Sequence, residues 1–191
     1  MFSDSCGGGE MPAVNMIKYS PVGFFVTVFA TYQGARNGMP WLGLIFFVAT
    51  VLVFLPFSPL RKERIQLALI VGLGGFLIDS ALIASGVYHA GENGRWLIPH
   101  PLCPEWILTL WLNFGFALFV FKQFLSRNSL VPVIVGIVFA MMIYTNASRM
   151  GLLTLPSPRI VPLCIIAASF AVFIPICTRI ANKICGGQHV S

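Results

Sequence analysis

The sequence predicts an all-α fold, a polytopic membrane bundle of six transmembrane helices. Three observations carry this expectation. Of 191 residues, 57% are hydrophobic and only 9% charged, whereas soluble domains carry about 25% charged residues. Mean hydropathy is +0.86. Apolar stretches recur along the chain between short polar turns, as a multi-pass membrane protein requires. The net charge of +6 would point to nucleic acid in a soluble protein. Here the basic residues are scattered through short loops, which is the orienting pattern of a membrane protein. No RNA- or DNA-reading motif is visible, so no nucleic-acid partner is expected.

Residues 1–18 read as a polar cytoplasmic tail. They have no basic start and no apolar core before Cys6, so they do not form a cleavable signal. The transmembrane domain is expected over 19–180. Its first span covers 19–35, with Pro21 in the opening turn and Gly23, Thr27, Thr31 and Gly34 forming a small-residue face. Arg36-Asn37-Gly38 is a turn. The second span, 41–57, is almost uniformly Leu, Ile, Val and Phe, and reads as lipid-facing scaffold. Pro56 and Pro59 end it. Arg61 to Arg64 then form a charged loop.

The third span, 65–88, is apolar except for Asp79. Ala68, Gly72, Gly75, Asp79 and Gly86 fall on one helical stripe. Small residues let helices approach, so the stripe faces protein and forms a tight helix–helix contact. A carboxylate at membrane depth costs roughly 2.5–3.5 kcal/mol on insertion scales. Asp79 therefore needs a partner, a water-filled pocket or a proton.

Residues 89–103 form the longest loop, and its glycines and prolines argue against regular structure. Its His89, Glu92, His100 and Cys103, with Glu105 just beyond, match no zinc spacing, so no metal and no cofactor are expected. The fourth span, 104–125, places Trp106, Thr109, Asn113 and Ala117 on one face. The fifth, 130–150, ends in the polar residues Tyr144, Thr145, Asn146, Ser148 and Arg149. The sixth, 160–180, contains Pro175, which should kink it. Residues 181–191 read as a second cytoplasmic tail. Trp41, Trp96 and Trp106 are expected as interfacial anchors. The five cysteines, Cys6, Cys103, Cys164, Cys177 and Cys185, contain no C-x-x-C pair, and Cys164 and Cys177 fall inside a helix as apolar packing.

Counting Lys and Arg sets the orientation. One side holds Lys18, Arg61, Lys62, Arg64, Lys122, Arg127, Arg179 and Lys183. The other holds Arg36, Arg95, Arg149 and Arg159. The richer side is cytoplasmic, which puts both termini there. Cysteine labelling from outside is then expected to reach Cys103 and to spare Cys6 and Cys185.

With this orientation the embedded polar residues fall in the outer half. Asp79 lies about 12 Å below the outer end of the third span, and Asn113 roughly 10 Å below the same surface. Tyr32 and Gln33 close the first span, and Tyr144, Asn146 and Arg149 the fifth. The candidate polar cluster is therefore Asp79, Ser80, Asn113, Tyr144, Asn146, Arg149, Gln33 and Tyr32. Two readings are open. One is an outward-facing pocket with a carboxylate at its floor. The other is interhelical glue, with Asp79 bonded to Asn113 and paired with Arg149.

The runs GMPWLG from Gly38, GGFLIDSALIASGVY from Gly74 and PEWILTLWLNF from Pro104 resemble a family of small bacterial inner-membrane proteins catalogued as a domain of unknown function. The resemblance covers about Phe24 to Arg179. Its most specific parts are the Asp79-Ser80 pair and the pattern from Trp106 to Trp111; Trp41 and Trp106 also match. It implies a multi-pass protein of the bacterial inner (plasma) membrane and supplies no activity, substrate or cofactor. Two stretches depart from the family pattern. Phe119-Val120-Phe121 stands where relatives tend to carry Asn-His-Ser, and Phe139 to Met142 where they tend to carry a Gly-Pro pair, so an activity needing that histidine is in doubt. The function expected is a binding or accessory membrane protein with the bilayer, and a membrane protein or a second copy, as partners. The alternatives are a lipid-active enzyme using Asp79 as acid or base, and a small proton-coupled transporter. No Ser-His-Asp or H-E-x-x-H pattern and no inverted repeat supports either.

Overall fold

Glycine and proline punctuation cuts the chain into helices at nearly the expected places. A computed structural model describes residues 20–186 except residue 59. The first tail, with Cys6, and the last five residues lie outside the described residues, as does the side chain of Cys185. The helices are α1 (Ser20–Arg36), α2 (Trp41–Phe54), α3 (Arg61–Ala84), α4 (Glu105–Leu125), α5 (Leu130–Arg149) and α6 (Ile160–Gly186). Among the described residues the fold is all-helical apart from one two-stranded ribbon. Helices α3 to α6 are long and apolar enough to cross a membrane. Helices α1 and α2, with 17 and 14 residues, fall short of the ~20 that a perpendicular crossing uses.

The helices pack as three hairpins, α1–α2, α3–α4 and α5–α6. Helix α4 is the hub and also touches α1, α2 and α6. Small residues make each hairpin close. A Cβ on Gly115 of α4 would lie 2.8 Å from the Leu67 carbonyl and 2.9 Å from Ala68 Cα of α3. Across the same seam Gly72 faces Leu112 and Gly75 faces Trp111, so the Ala68–Gly72–Gly75 stripe is the expected close contact. In the first hairpin Gly43 sits against Thr31, and the Thr27 and Thr50 hydroxyls lie 3.0 Å apart. In the last, Gly136 abuts the Phe170 carbonyl. Most of α2 is exposed, with Gly43 and Thr50 buried.

Several boundaries differ from expectation, each for a local reason. Arg61 to Arg64 are not a loop; they form the first turn of α3. Arg64 is buried with its guanidinium 3.8 Å from the Phe116 ring centroid, and its Nε donates to the Phe116 carbonyl at 3.1 Å. At the other end, α3 stops at Ala84 rather than 88. Gly86 adopts φ +74, and the Gly86 and Val87 N–H groups donate back to Ile83 and Leu82. This is a Schellman cap, which favours glycine because the left-handed conformation carries no Cβ penalty there. Gly86 is thus the terminator of α3 and not a member of its stripe. Gly151, at φ +74, closes α5 the same way.

Beyond these two caps the chain pairs with itself. Strand β1 (His89–Ala90) runs antiparallel to β2 (Leu153–Thr154), so the long loop starts with regular structure. Gly91 N–H adds a further bond to Leu152 O. The ribbon fastens the ends of α3 and α5 to each other. Helix α6 continues to Gly186 through Pro175, so residues 181–186, expected as tail, are helical.

Candidate functional site

Asp79 is fully buried on α3 and receives three hydrogen bonds. Tyr88 Oη donates to Oδ1 at 2.8 Å, Trp111 Nε1 donates to Oδ2 at 2.5 Å, and Tyr144 Oη donates to Oδ1. These donors come from three segments. Trp111 arrives because Gly75, one turn before Asp79, leaves room for its indole against α3. Tyr144 arrives because α3 and α5 run in register: Asp79 lies seven residues before Gly86, and Tyr144 seven before Gly151. Tyr88 arrives because the Gly86 cap turns the chain back. On a continuing helix it would stand about 13 Å farther along the axis.

This geometry corrects the expected ion pair. Arg149 is exposed on α5, and Asn113 Nδ2 donates to the Phe24 carbonyl at 3.0 Å. Asn113 is buried, but it binds α4 to α1. Ser80 accepts the Cys103 N–H at 3.0 Å, holding the loop to α3. Tyr32 Oη donates to the Ile143 carbonyl at 3.2 Å, bridging α1 and α5. Tyr88 and Trp111 were not among the expected cluster. The glycine that aims Tyr88, and the Gly75–Asp79 spacing that admits a large ring beside the carboxylate, were the available signals.

Asp79, Trp111 and Tyr144 of this cluster line a cavity of about 270 Å³. Its walls are Phe24, Val28 and Tyr32 of α1, Leu110 and Phe114 of α4, Phe139 and Ile143 of α5, and Phe170 of α6. Gln33 and Asn146 lie at its rim, bringing two more expected residues to it. Phe25, Phe29 and Met142 also line it, and they are 60%, 66% and 51% exposed. The cavity therefore opens sideways, between α1 and α5.

Of the expected anchors, Trp41 and Trp96 are exposed and line one shallow groove with Leu44 and Ile45. Trp106 is not an anchor. It is 1% exposed, stacked near Tyr32 at 5.9 Å between ring centroids, and covered by Gly94. The covering loop is held by Glu105, whose carboxylate accepts the N–H groups of Trp96, Leu97 and Ile98. His100 Nε2 lies 2.5 Å from Glu92 Oε1 at the surface, and His89 is exposed. Among the described residues no three His, Cys, Asp or Glu side chains converge as metal ligands. Cys103 is buried, so it is not the outward-reachable thiol that the topology alone implied. Burial pushes its thiol well above the usual range, and the negative charge of Asp79 adds to this.

The fold and the site together describe an all-helical, multi-pass type of membrane protein with a carboxylate beneath an apolar cavity. The chain belongs to the family described as protein of unknown function (DUF2878), whose model matches residues 19–176. That range includes Asp79, Tyr88, Trp111 and Tyr144. No curated protein and no solved structure matches the chain.

Proposed function

We propose that this is a six-span protein of the bacterial inner membrane, with both termini cytoplasmic, that binds an apolar ligand drawn from the bilayer. The cavity is the observation that carries the reading. It is lined by hydrocarbon and aromatic side chains, as ligand pockets usually are, and its mouth lies between two helices where lipid would stand. The eight-to-four division of basic residues supports the orientation. Helices α1 and α2 are short, but they pack as a hairpin and both lie against α4. The cavity then sits in the outer half of the membrane.

Binding is better supported than acid–base chemistry. An enzyme using Asp79 would need a second acid or base within reach. Glu105 is engaged by three backbone N–H groups, His100 by Glu92, and His89 lies at the surface, while Tyr88 and Tyr144, which do reach Asp79, have their O–H groups committed to its carboxyl.

Mass spectrometry of the protein purified in native lipid nanodiscs tests this. A defined apolar species should copurify, and Ile143→Trp, which fills the cavity from α5, should displace it. A parent that carries no species beyond bulk lipid, or a filled variant that retains the same one, overturns the proposal.

A further inference from the structure

The binding reading leaves the chemical class of the ligand open, and the floor and walls of the cavity narrow it. Asp79 is met by neutral donors only: two phenol O–H groups and one indole N–H. An indole N–H donates and never accepts, so Oδ2 is held as an acceptor, which it is in either protonation state. The three groups that meet Asp79 include no basic side chain. When the carboxyl is ionised, its negative charge is solvated by these hydrogen bonds and is not cancelled by a contacting positive charge. In a water-poor interior such a charge acts strongly on its neighbourhood.

The walls carry the same sign of preference. Phe24, Phe114, Trp111, Phe139, Tyr144 and Phe170 surround the cavity. Aromatic faces are negative and attract cations, quaternary ammonium groups most typically. The ring pairs Trp111–Phe170 at 4.9 Å, Tyr144–Phe170 at 5.7 Å and Phe114–Phe139 at 6.2 Å between centroids make this a joined aromatic enclosure. The rim residues Gln33 and Asn146 are uncharged amides, and among the described residues no basic one lines the cavity to repel a positive ligand.

We propose that the cavity selects lipophilic monocations, compact apolar bodies bearing one quaternary or protonated amine. The inference rests on the cavity being a ligand site, and it adds a charge preference to that reading. The cation would lie among the rings above Asp79 and need not displace the three donors. An anion would meet both the carboxylate and the ring faces.

Equilibrium dialysis with the full chain in phosphatidylcholine nanodiscs, corrected by protein-free discs, tests this with three probes of similar shape. They are benzyltrimethylammonium, its uncharged isostere neopentylbenzene, and benzylsulfonate. The expected result is a preference for the cation over the neutral probe of about tenfold or more, with the anion excluded. Asp79→Asn should bring that preference toward unity. Phe114→Leu, which leaves the Asp79 donors in place, should weaken the cation more than the neutral probe, and it keeps the test open if Asp79→Asn does not fold. Equal binding of cation and neutral probe in the parent overturns the charge preference and leaves the ligand site standing. Failure of all three probes to exceed protein-free discs overturns both.

Discussion

Gly75→Ala would place one methyl group at the most crowded point of the site. An added Cβ would run into Cγ, Cδ2 and Cε2 of Trp111. The ring has little room to retreat, because Phe170 and Phe173 stack on it at 4.9 and 5.3 Å between centroids. Overpacking of this kind costs about 1–3 kcal/mol. A displaced indole also withdraws its N–H from Asp79, and a hydrogen bond to a charged group contributes about 1.5–3 kcal/mol. The expected destabilisation is then about 2.5–6 kcal/mol. Reversible unfolding in mixed detergent–SDS micelles would read it. The double variant Gly75→Ala/Trp111→Phe separates the cause. With a smaller ring and no N–H to lose, the alanine should cost less than in the parent, by more than the ~0.5 kcal/mol scatter of independent sites. A Gly75→Ala protein as stable as the parent, or strict additivity in the double variant, would refute the argument that this glycine exists to admit Trp111 beside the carboxylate.

Two other contacts give contrasting expectations. Tyr144→Phe removes a buried hydrogen bond to Asp79 and should destabilise by about 1.5–3 kcal/mol in the same assay, whereas Arg149→Gln, at an exposed position, should stay within about 0.5 kcal/mol; an equal loss for both would restore the ion pair. Cys103, buried and with its thiol pushed up, should react with external maleimide at neutral pH only after unfolding, which mass spectrometry of the labelled peptide would show. Labelling of native protein at Cys103 would mean that the loop over α4 opens freely.

The six helices were legible because apolar runs ended in Pro or Gly at most turns, and in the polar run Ser126 to Ser129 between α4 and α5, and because the small-residue faces of α1 and α3 mark where backbones meet. The site was legible in part. Asp79, Tyr144, Gln33, Asn146 and Tyr32 all reach or border the cavity. What counting along a helix supplies is depth, and depth brought Asp79, Asn113 and Arg149 to one level. It does not supply azimuth. Successive residues turn by about 100°, so Tyr144 looks inward while Asn146 reaches the rim and Arg149 looks out. Tyr88 was hidden for a different reason: its position depends on Gly86 ending the helix, and an apolar run read as unbroken carries it out of reach. Trp111 was hidden because an aromatic residue in an apolar helix gives no outward sign that its single polar atom is engaged. Arg64 looked like loop charge because its hydrocarbon stem and flat guanidinium can lie under an aromatic ring, which composition alone does not announce.

These differences share one physical cause, the way a helix bundle accommodates a buried carboxylate. A basic partner would bring a second desolvation penalty of several kcal/mol into the same low-dielectric space. Neutral donors avoid that penalty, but a single one cannot replace the hydration of a carboxylate. Three are needed, and they must converge from different directions, which a single helix face cannot arrange. The fold meets this requirement with a glycine that admits a ring from α4, a register that sets Tyr144 of α5 at the height of Asp79, and a helix cap that returns Tyr88 from beyond the end of α3. The β1–β2 ribbon then fastens the two capped helices together directly beyond the site. Each of these devices orders backbone or side chains at an entropic cost. Spending them on one carboxylate, beside a cavity that the surrounding aromatic rings leave open and do not fill, is the pattern expected when the charge is retained for what enters the cavity and not for holding the helices together.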